Sequence, residues 1–315
     1  MRLGGKILIG CIAAPFVLVL FLLVLVLAFR AAPLRPSENV AIDEVDPIGG
    51  ITPEMLAAEG LTIARAGAAR AVPLRINLEE GSFTIKPAPA GSSIKVEGNY
   101  DRGLYELKME VSRDDEGSPS YDISFLPRYS MLRRILSHGA VHIEEGENAM
   151  TIHIPRDLLI DLNARVAKGS SRLELGGLAL RSADLSLRMG EHKVLADEPN
   201  PVEMEKLVIN SGMGEIGLHA LGQLRAGTIE VAAGMGEVTV DLGDAILRDT
   251  ALNVRMKMGE MTVDLPARVR LDEHTTVWLG EANRDWDESA EDPNAPLLTI
   301  RGSIMMGEFG YHRHQ

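Results

Sequence analysis

The chain has 315 residues, 45% of them apolar, and a formal net charge of −13 at pH 7. That is enough apolar material for one large core or two moderate ones. The acidic balance repels nucleic acid and anionic lipid headgroups, so neither is an expected partner of the body. The single cysteine, Cys11, rules out an internal disulfide.

At the amino end, Ile7 to Phe29 is a run of 23 residues without a charge. As a helix rising ~1.5 Å per residue it would reach ~34 Å, enough to cross a bilayer with slight tilt. A cleavable signal peptide carries a shorter apolar region of roughly 7–15 residues, so residues 1–30 read as a transmembrane anchor, with cleavage after Ala28 as the alternative. Arg2 and Lys6 precede the span, and Arg30 and Arg35 follow it. This weak bias favours a single-pass protein of the inner (cytoplasmic) membrane with its bulk outside the cytoplasm. Leu8-Ile9-Gly10-Cys11 imitates a lipoprotein processing site, but the apolar run follows the cysteine instead of leading up to it.

Residues 31–70 hold Pro33, Pro36, Pro47 and Gly49-Gly50 among acidic residues, the composition of a tether. Thr52 and Pro53 then predict a short helix over 53–59, stopped by Gly60. The β-region begins near Ala71. Ile94 to Val96 and Leu104 to Leu107, joined through Gly98 to Gly103, predict a hairpin. Residues 113–120 predict a polar loop, 126–136 fit a helix or a loop, and Val141 to Ile154 predict a second hairpin about Glu145-Gly146-Glu147. Asp197 to Pro201 marks a seam dividing the body into residues 71–198 and 199–315.

The carboxyl half repeats one phrase, Met-Gly-Glu plus an apolar residue, starting at Met213, Met235, Met258 and Met306. A copy at Met189 keeps three residues and has His192 as the fourth, and Leu279-Gly280-Glu281 is a worn copy. The first four starts lie 24, 22 and 23 residues apart, a period typical of a chain stacking one supersecondary unit on the next. Apolar parity changes at each phrase: Ile229, Val231, Ala233 and Met235 are odd, whereas Val238, Val240 and Leu242 are even. Strict alternation is a half-buried strand, and a change of parity turns the buried side at a corner. Glycine suits such a corner because it tolerates positive φ, which assigns Gly190, Gly214, Gly236, Gly259 and Gly307 as structural corners. Leu74 to Ile85 does the same about Gly81, and Ile160 to Leu175 about Gly169. The expected fold is all-β, a repetitive, solenoid-like stack of bent strands behind one amino-terminal transmembrane helix.

Parity places Met189, Met213, Met235, Met258 and Met306 in an inward row. Thioethers can hold Cu(I), but core filling is the preferred reading. Glu215, Glu237, Glu260 and Glu308, with Glu191, follow the corner glycines and should face outward, ~4.8 Å apart if the coils superpose. A divalent-cation ladder is the sharp reading of these metal candidates and solvated carboxylates the preferred one. Trp286, between Asp285 and Asp287 in an acidic insertion, is the candidate partner contact, since binding often sits on loops held by a rigid scaffold. Arg128, Arg133 and Arg134 read as a solvated strip, and His312 to His314 as a frayed tail. No zinc, phosphate-loop, serine-elbow or cysteine-nucleophile pattern occurs, so neither a cofactor nor a catalytic residue is assigned.

Two stretches carry a family resemblance. Ile154-Pro155-Arg156-Asp157-Leu158-Leu159-Ile160, with Gly169, Leu173, Leu175-Gly176-Gly177 and Leu185-x-Leu187, resembles the amino-terminal half of the toast-rack β-repeat family. Asn200-Pro201-Val202, followed by the Gly-Met-Gly-Glu series and Val240-Asp241-Leu242-Gly243, is similar to the adjoining domain of bacterial cell-wall-active antibiotics response proteins. The resemblance spans roughly residues 71–311 and implies a membrane-tethered β-stack at the bacterial envelope, with a link to stress sensing in some members. Several relatives have more spans than the one expected here. The resulting functional expectation is a structural or protein-interaction module with a protein partner at the envelope, not an enzyme. The alternatives are a regulatory partner of a membrane stress-sensor kinase and a carbohydrate-active enzyme on a β-stack.

Overall fold

A computed structural model of the protein describes residues 38–42, 70–113, 118–129, 148–285 and 294–313. The predicted span at 7–29, the helix at 53–59 and residues 130–147 lie outside these. Thirteen strands follow in chain order: β1 (Asn39–Ile42), β2 (Val72–Ala88), β3 (Lys95–Asp101), β4 (Tyr105–Arg113), β5 (Pro119–Pro127), β6 (Ala149–Pro155), β7 (Ile160–Glu174), β8 (Leu180–Leu195), β9 (Met204–His219), β10 (Ala226–Asp241), β11 (Thr250–Leu265), β12 (Arg270–Asp285) and β13 (Leu297–Arg313). All belong to one sheet, ordered β1-β3-β6-β2-β7-β8-β9-β10-β11-β13-β12, with β5 and β4 continuing from β2 on a branch.

From β2 through β12 the long strands pair in parallel and in register, corner glycine on corner glycine: Gly81, Gly169, Gly190, Gly214, Gly236, Gly259, Gly307 and Gly280. Gly236 shows why no other residue serves. Its φ is +133°, and a Cβ built there would lie 1.8 Å from the carbonyl oxygen of Gly214 on the next strand. A side chain would need a strained backbone angle and would collide with a neighbouring main chain, so the row excludes side chains for two separate reasons.

Each bent strand except β12, at the end of the sheet, buries one parity before the glycine and the other after it. In β10 these are Ile229, Val231 and Ala233, then Val238 and Val240; in β11 they are Leu252, Val254 and Met256, then Met261, Val263 and Leu265. The connections complete the core with Leu175, Leu178, Leu221, Leu224, Leu242, Ile246 and Val269, all buried. Burial of each such side chain contributes on the order of 1.5–3 kcal/mol. At the first coil Phe125 stacks on Tyr105 at 4.8 Å and meets Phe83 and Tyr100 edge-on.

Several motif residues of the resemblance are consumed in stitching connections. Asn200 is buried, donates to the carbonyls of Leu180 (2.8 Å) and Leu224 (3.3 Å), and accepts from Leu180 N–H. Arg156 and Glu198 form a two-pronged ion pair that raises the guanidinium pKa and lowers that of the carboxyl.

The structure corrects three expectations. Residues 39–42, assigned to the tether, form β1 and pair antiparallel with β3. The predicted hairpin of β3 with β4 does not form. The turn at Asp101 sends the two strands to different partners, β3 to β6 and β1, and β4 to β5. The residues at the seam, 197–201, form a loop within the continuous stack that the shared corners predict, with β8 and β9 paired on both sides of the bend. Finally, His312 and Arg313 belong to β13, and Arg313 donates to the Val269 carbonyl at 3.0 Å.

Candidate functional site

The bend presents two parallel rows, one residue before and one after the glycines. The first is Met189, Met213, Met235, Met258, Met306 and Leu279, one per strand from β8 to β12 in sheet order. The sequence pattern places the methionines inward, and the structure places them at the surface: Met213 is 50% exposed and Met258 is 40%. Alternation fails here because the strand leaves the core as it turns, so the last residue of inward parity lies beyond the core. The buried residues flanking the bend are Ala233 and Val238 in β10, five positions apart in the chain, and Met235 falls between them. Core filling therefore does not account for these thioethers.

The second row is Glu191, Glu215, Glu237, Glu260, Glu308 and Glu281, all exposed. Glu191 pairs with Lys193 at 3.1 Å. The side chains of the other five have no hydrogen-bond or ion-pair partner among the described residues. Strand spacing sets these carboxylates ~4.8 Å apart along the row, so they form an unneutralised acidic edge. Among the described residues no group of three or more acidic, histidine or cysteine side chains converges as a metal site. The acidic row is a line of separate carboxylates.

Beside the last rungs stand two residues the sequence reading passed over. Trp278 is 77% exposed and Met305 is 60%. Both occupy the position before the methionine row, so the apolar strip widens at its β12 end. The signal for Trp278 was available: it has the opposite parity to Val277, which faces in. Trp286 and Asp287 lie outside the described residues, and Asp285 ends β12 with only its backbone described.

The first two coils carry a different lettering on the same bend. At the methionine position β2 has Glu80 and β7 has Lys168, paired at 2.6 Å. At the glutamate position they have Ser82 and Ser170, hydrogen-bonded at 3.1 Å. Glu80 also accepts from the Tyr105 hydroxyl at 2.8 Å.

A histidine faces the core after the bend. His192, in the position that holds Ile216, Val238 and Met261 in later coils, is buried, and its Nδ1 is 2.8 Å from the Ser171 hydroxyl. Its Nε2 has no hydrogen-bond partner among the described residues. Burial drives its pKa down to about 4, opposed by the nearby Glu191. On the outer face before the bend, a shallow depression gathers Arg75, Asp161, Asn163, Asp184 and Lys206. Asp161 is already engaged there by Arg181 and by the Ser182 hydroxyl at 2.7 Å. Arg128, of the predicted basic strip, is also engaged, donating to the Arg102 and Tyr105 carbonyls.

No family profile matches the chain, so the toast-rack resemblance rests on its motif residues alone. No curated protein matches it either. Among solved structures, the chain is similar to a proposed cell adhesion protein from Clostridium sporogenes ATCC 15579, with a TM-score of 0.41 and 13% identity over 89% of this chain and 100% of that one. It is also similar to a proposed adhesin from Bacteroides fragilis NCTC 9343, with a TM-score of 0.34 and 11% identity over 77% of this chain and 93% of that one. Both likenesses are distant.

Proposed function

We propose that the protein is a membrane-tethered interaction scaffold of the bacterial envelope, without catalytic activity, which holds a rigid β-stack outside the cytoplasm and binds a protein partner along the bend. The observation that carries this reading is the exposed apolar row from Met189 to Leu279, repeated in register over six strands. Contiguous exposed apolar surface of this kind, rimmed by charge, characterises contact sites. The charge-free run at 7–29 supports the anchor, and the resemblance adds a role in envelope stress.

Position-specific photo-crosslinking in native membranes tests it. A photoreactive residue in place of Met213, Met235 or Met258 should yield one discrete adduct. The same residue at Lys168, or at Asn163 on the outer face, should not. Equal labelling at all five positions, or none at the methionines, would reject the scaffold reading.

A further inference from the structure

We infer that the paired rows are a docking ridge for a basic amphipathic helix of a partner protein, with Met189, Met213, Met235, Met258, Met306 and Leu279 receiving its apolar face and the glutamates its Lys and Arg residues. The inference rests on the scaffold reading and names the chemistry of the partner.

The fold itself does not require an apolar residue beside the corner glycine. Glu80 and Lys168 occupy that position in the first two coils with the same glycine geometry, φ +153° at Gly81 and +116° at Gly169. The six apolar residues that follow are therefore a property of the surface. Nor do the carboxylates have a neutralising partner among the described residues: Glu215, Glu237, Glu260, Glu308 and Glu281 form an acidic line beside an apolar line, and a ligand matching both must be apolar on one side and cationic on the other.

Spacing selects a helix. Rungs ~4.8 Å apart make the six-residue strip ~24 Å long. A helix advances ~5.4 Å per turn, so side chains at i, i+3 or i+4, and i+7 fall near successive rungs over about 16 residues. An extended segment places same-face side chains ~6.6 Å apart and loses register after two or three rungs. Thioethers repack around differently shaped apolar side chains, which suits a surface with no preformed pocket. At the β12 end, Trp278 and Met305 broaden the strip and supply an aromatic anchor.

Two other occupants fit less well. A second copy docking methionine row on methionine row would bring glutamate lines of like charge together. An anionic membrane face would meet the same line. Stacking of a second copy on the side of β12 that has no strand partner among the described residues is opposed by Glu273, a carboxylate on the core-facing parity of that strand that accepts from the Tyr311 hydroxyl at 3.2 Å.

The test uses the full chain in phosphatidylcholine nanodiscs, with empty nanodiscs subtracted, and three fluorescein-labelled 18-residue probes read by anisotropy. One is a Leu/Lys peptide in amphipathic helical order, one the same peptide with Glu for every Lys, and one the Leu/Lys composition in scrambled order. The amphipathic Leu/Lys peptide should bind saturably, with the two controls and the M213Q/M235Q/M258Q variant each at least ~10-fold weaker. In E215Q/E237Q/E260Q the affinity should fall and depend less on salt. Melting curves check that the variants fold; should the triple variant melt early, Met235→Lys, which copies the residue at position 168, is read instead. Equal binding of any control peptide, unchanged affinity in the variants, or a dimer that the methionine substitutions abolish would overturn the proposal. Discrete crosslinks at Met235 without peptide binding would reject the helix and leave the scaffold standing. Loss of both would reject both.

Discussion

Coils β2 and β7 and the coils from β8 onward share one bend and differ in what surrounds it. In the first pair the side chains on both sides of the glycine find partners on the adjacent strand: Glu80 with Lys168, and Ser82 with Ser170. In the later coils the thioethers and most of the glutamates have none among the described residues. Geometry and surface chemistry are thus separable: the glycines make the bend, and the letters beside them are free to be used for something else. A repeat containing only Met-Gly-Glu could not have shown this, because fold and surface would have varied together.

The largest expected effect comes from breaking what the two regions share. Gly236→Val should lower stability by more than about 3 kcal/mol, because a β-branched residue at φ +133° is strained and its Cβ would overlap the Gly214 carbonyl. Gly310→Ala is the control. That residue lies in the same sheet without a positive φ, and a Cβ there meets nothing closer than 3.8 Å. It should be neutral or stabilising by up to about 1 kcal/mol. Comparable melting-temperature losses for the two would remove the glycine row as the determinant of the bend.

The next effect is confined to one rung and depends on pH. His192 is held neutral by burial, with a folded-state pKa of about 4 against an ordinary value of 6.5. The unfolded chain therefore takes up a proton first as pH falls, and stability that is intact above pH 6.5 is lost progressively toward pH 4, on the order of 3 kcal/mol in all. His192→Ile, which installs the residue found at position 216, should flatten that part of the curve in denaturant titrations at pH 7 and pH 4.5. An unchanged pH dependence would show that carboxylates, and not His192, govern the acid limb.

The glycine row, the period and the inward residues on both sides of the bend in β2, β7, β9, β10, β11 and β13 were legible because they follow from local alternation and a backbone restriction, both of which are written in neighbouring letters. Three features were not. The methionines continue the inward parity in the sequence, yet where the ribbon leaves the core is set by the width of the stack. β13 lies between β11 and β12, an order that no local signal in residues 270–313 encodes. The split of β3 from β4 is a choice between competing pairings, decided by which sheet edges stand open. The surface role of Met189 to Leu279 became readable only with exposure in hand, whereas the outward glutamates followed from parity.

Smaller effects address the differing letters. Met235→Lys should cost at most about 1 kcal/mol, because the side chain is already 43% exposed and Lys is accepted at the equivalent place in β7. The smallest effect is the reverse exchange. Lys168→Met with Ser170→Glu writes Met-Gly-Glu onto β7 and removes an ion pair whose lysine is 58% exposed, worth at most about 1 kcal/mol. Because the bend is unaltered, the melting temperature should stay within a few degrees of the parent, while the Leu/Lys peptide, offered one more rung, should bind ~2-fold tighter. A destabilisation as large as that of Gly236→Val would mean that the paired side chains, and not the glycines, hold the first coils in shape. The separation of geometry from surface would then fail where it was drawn.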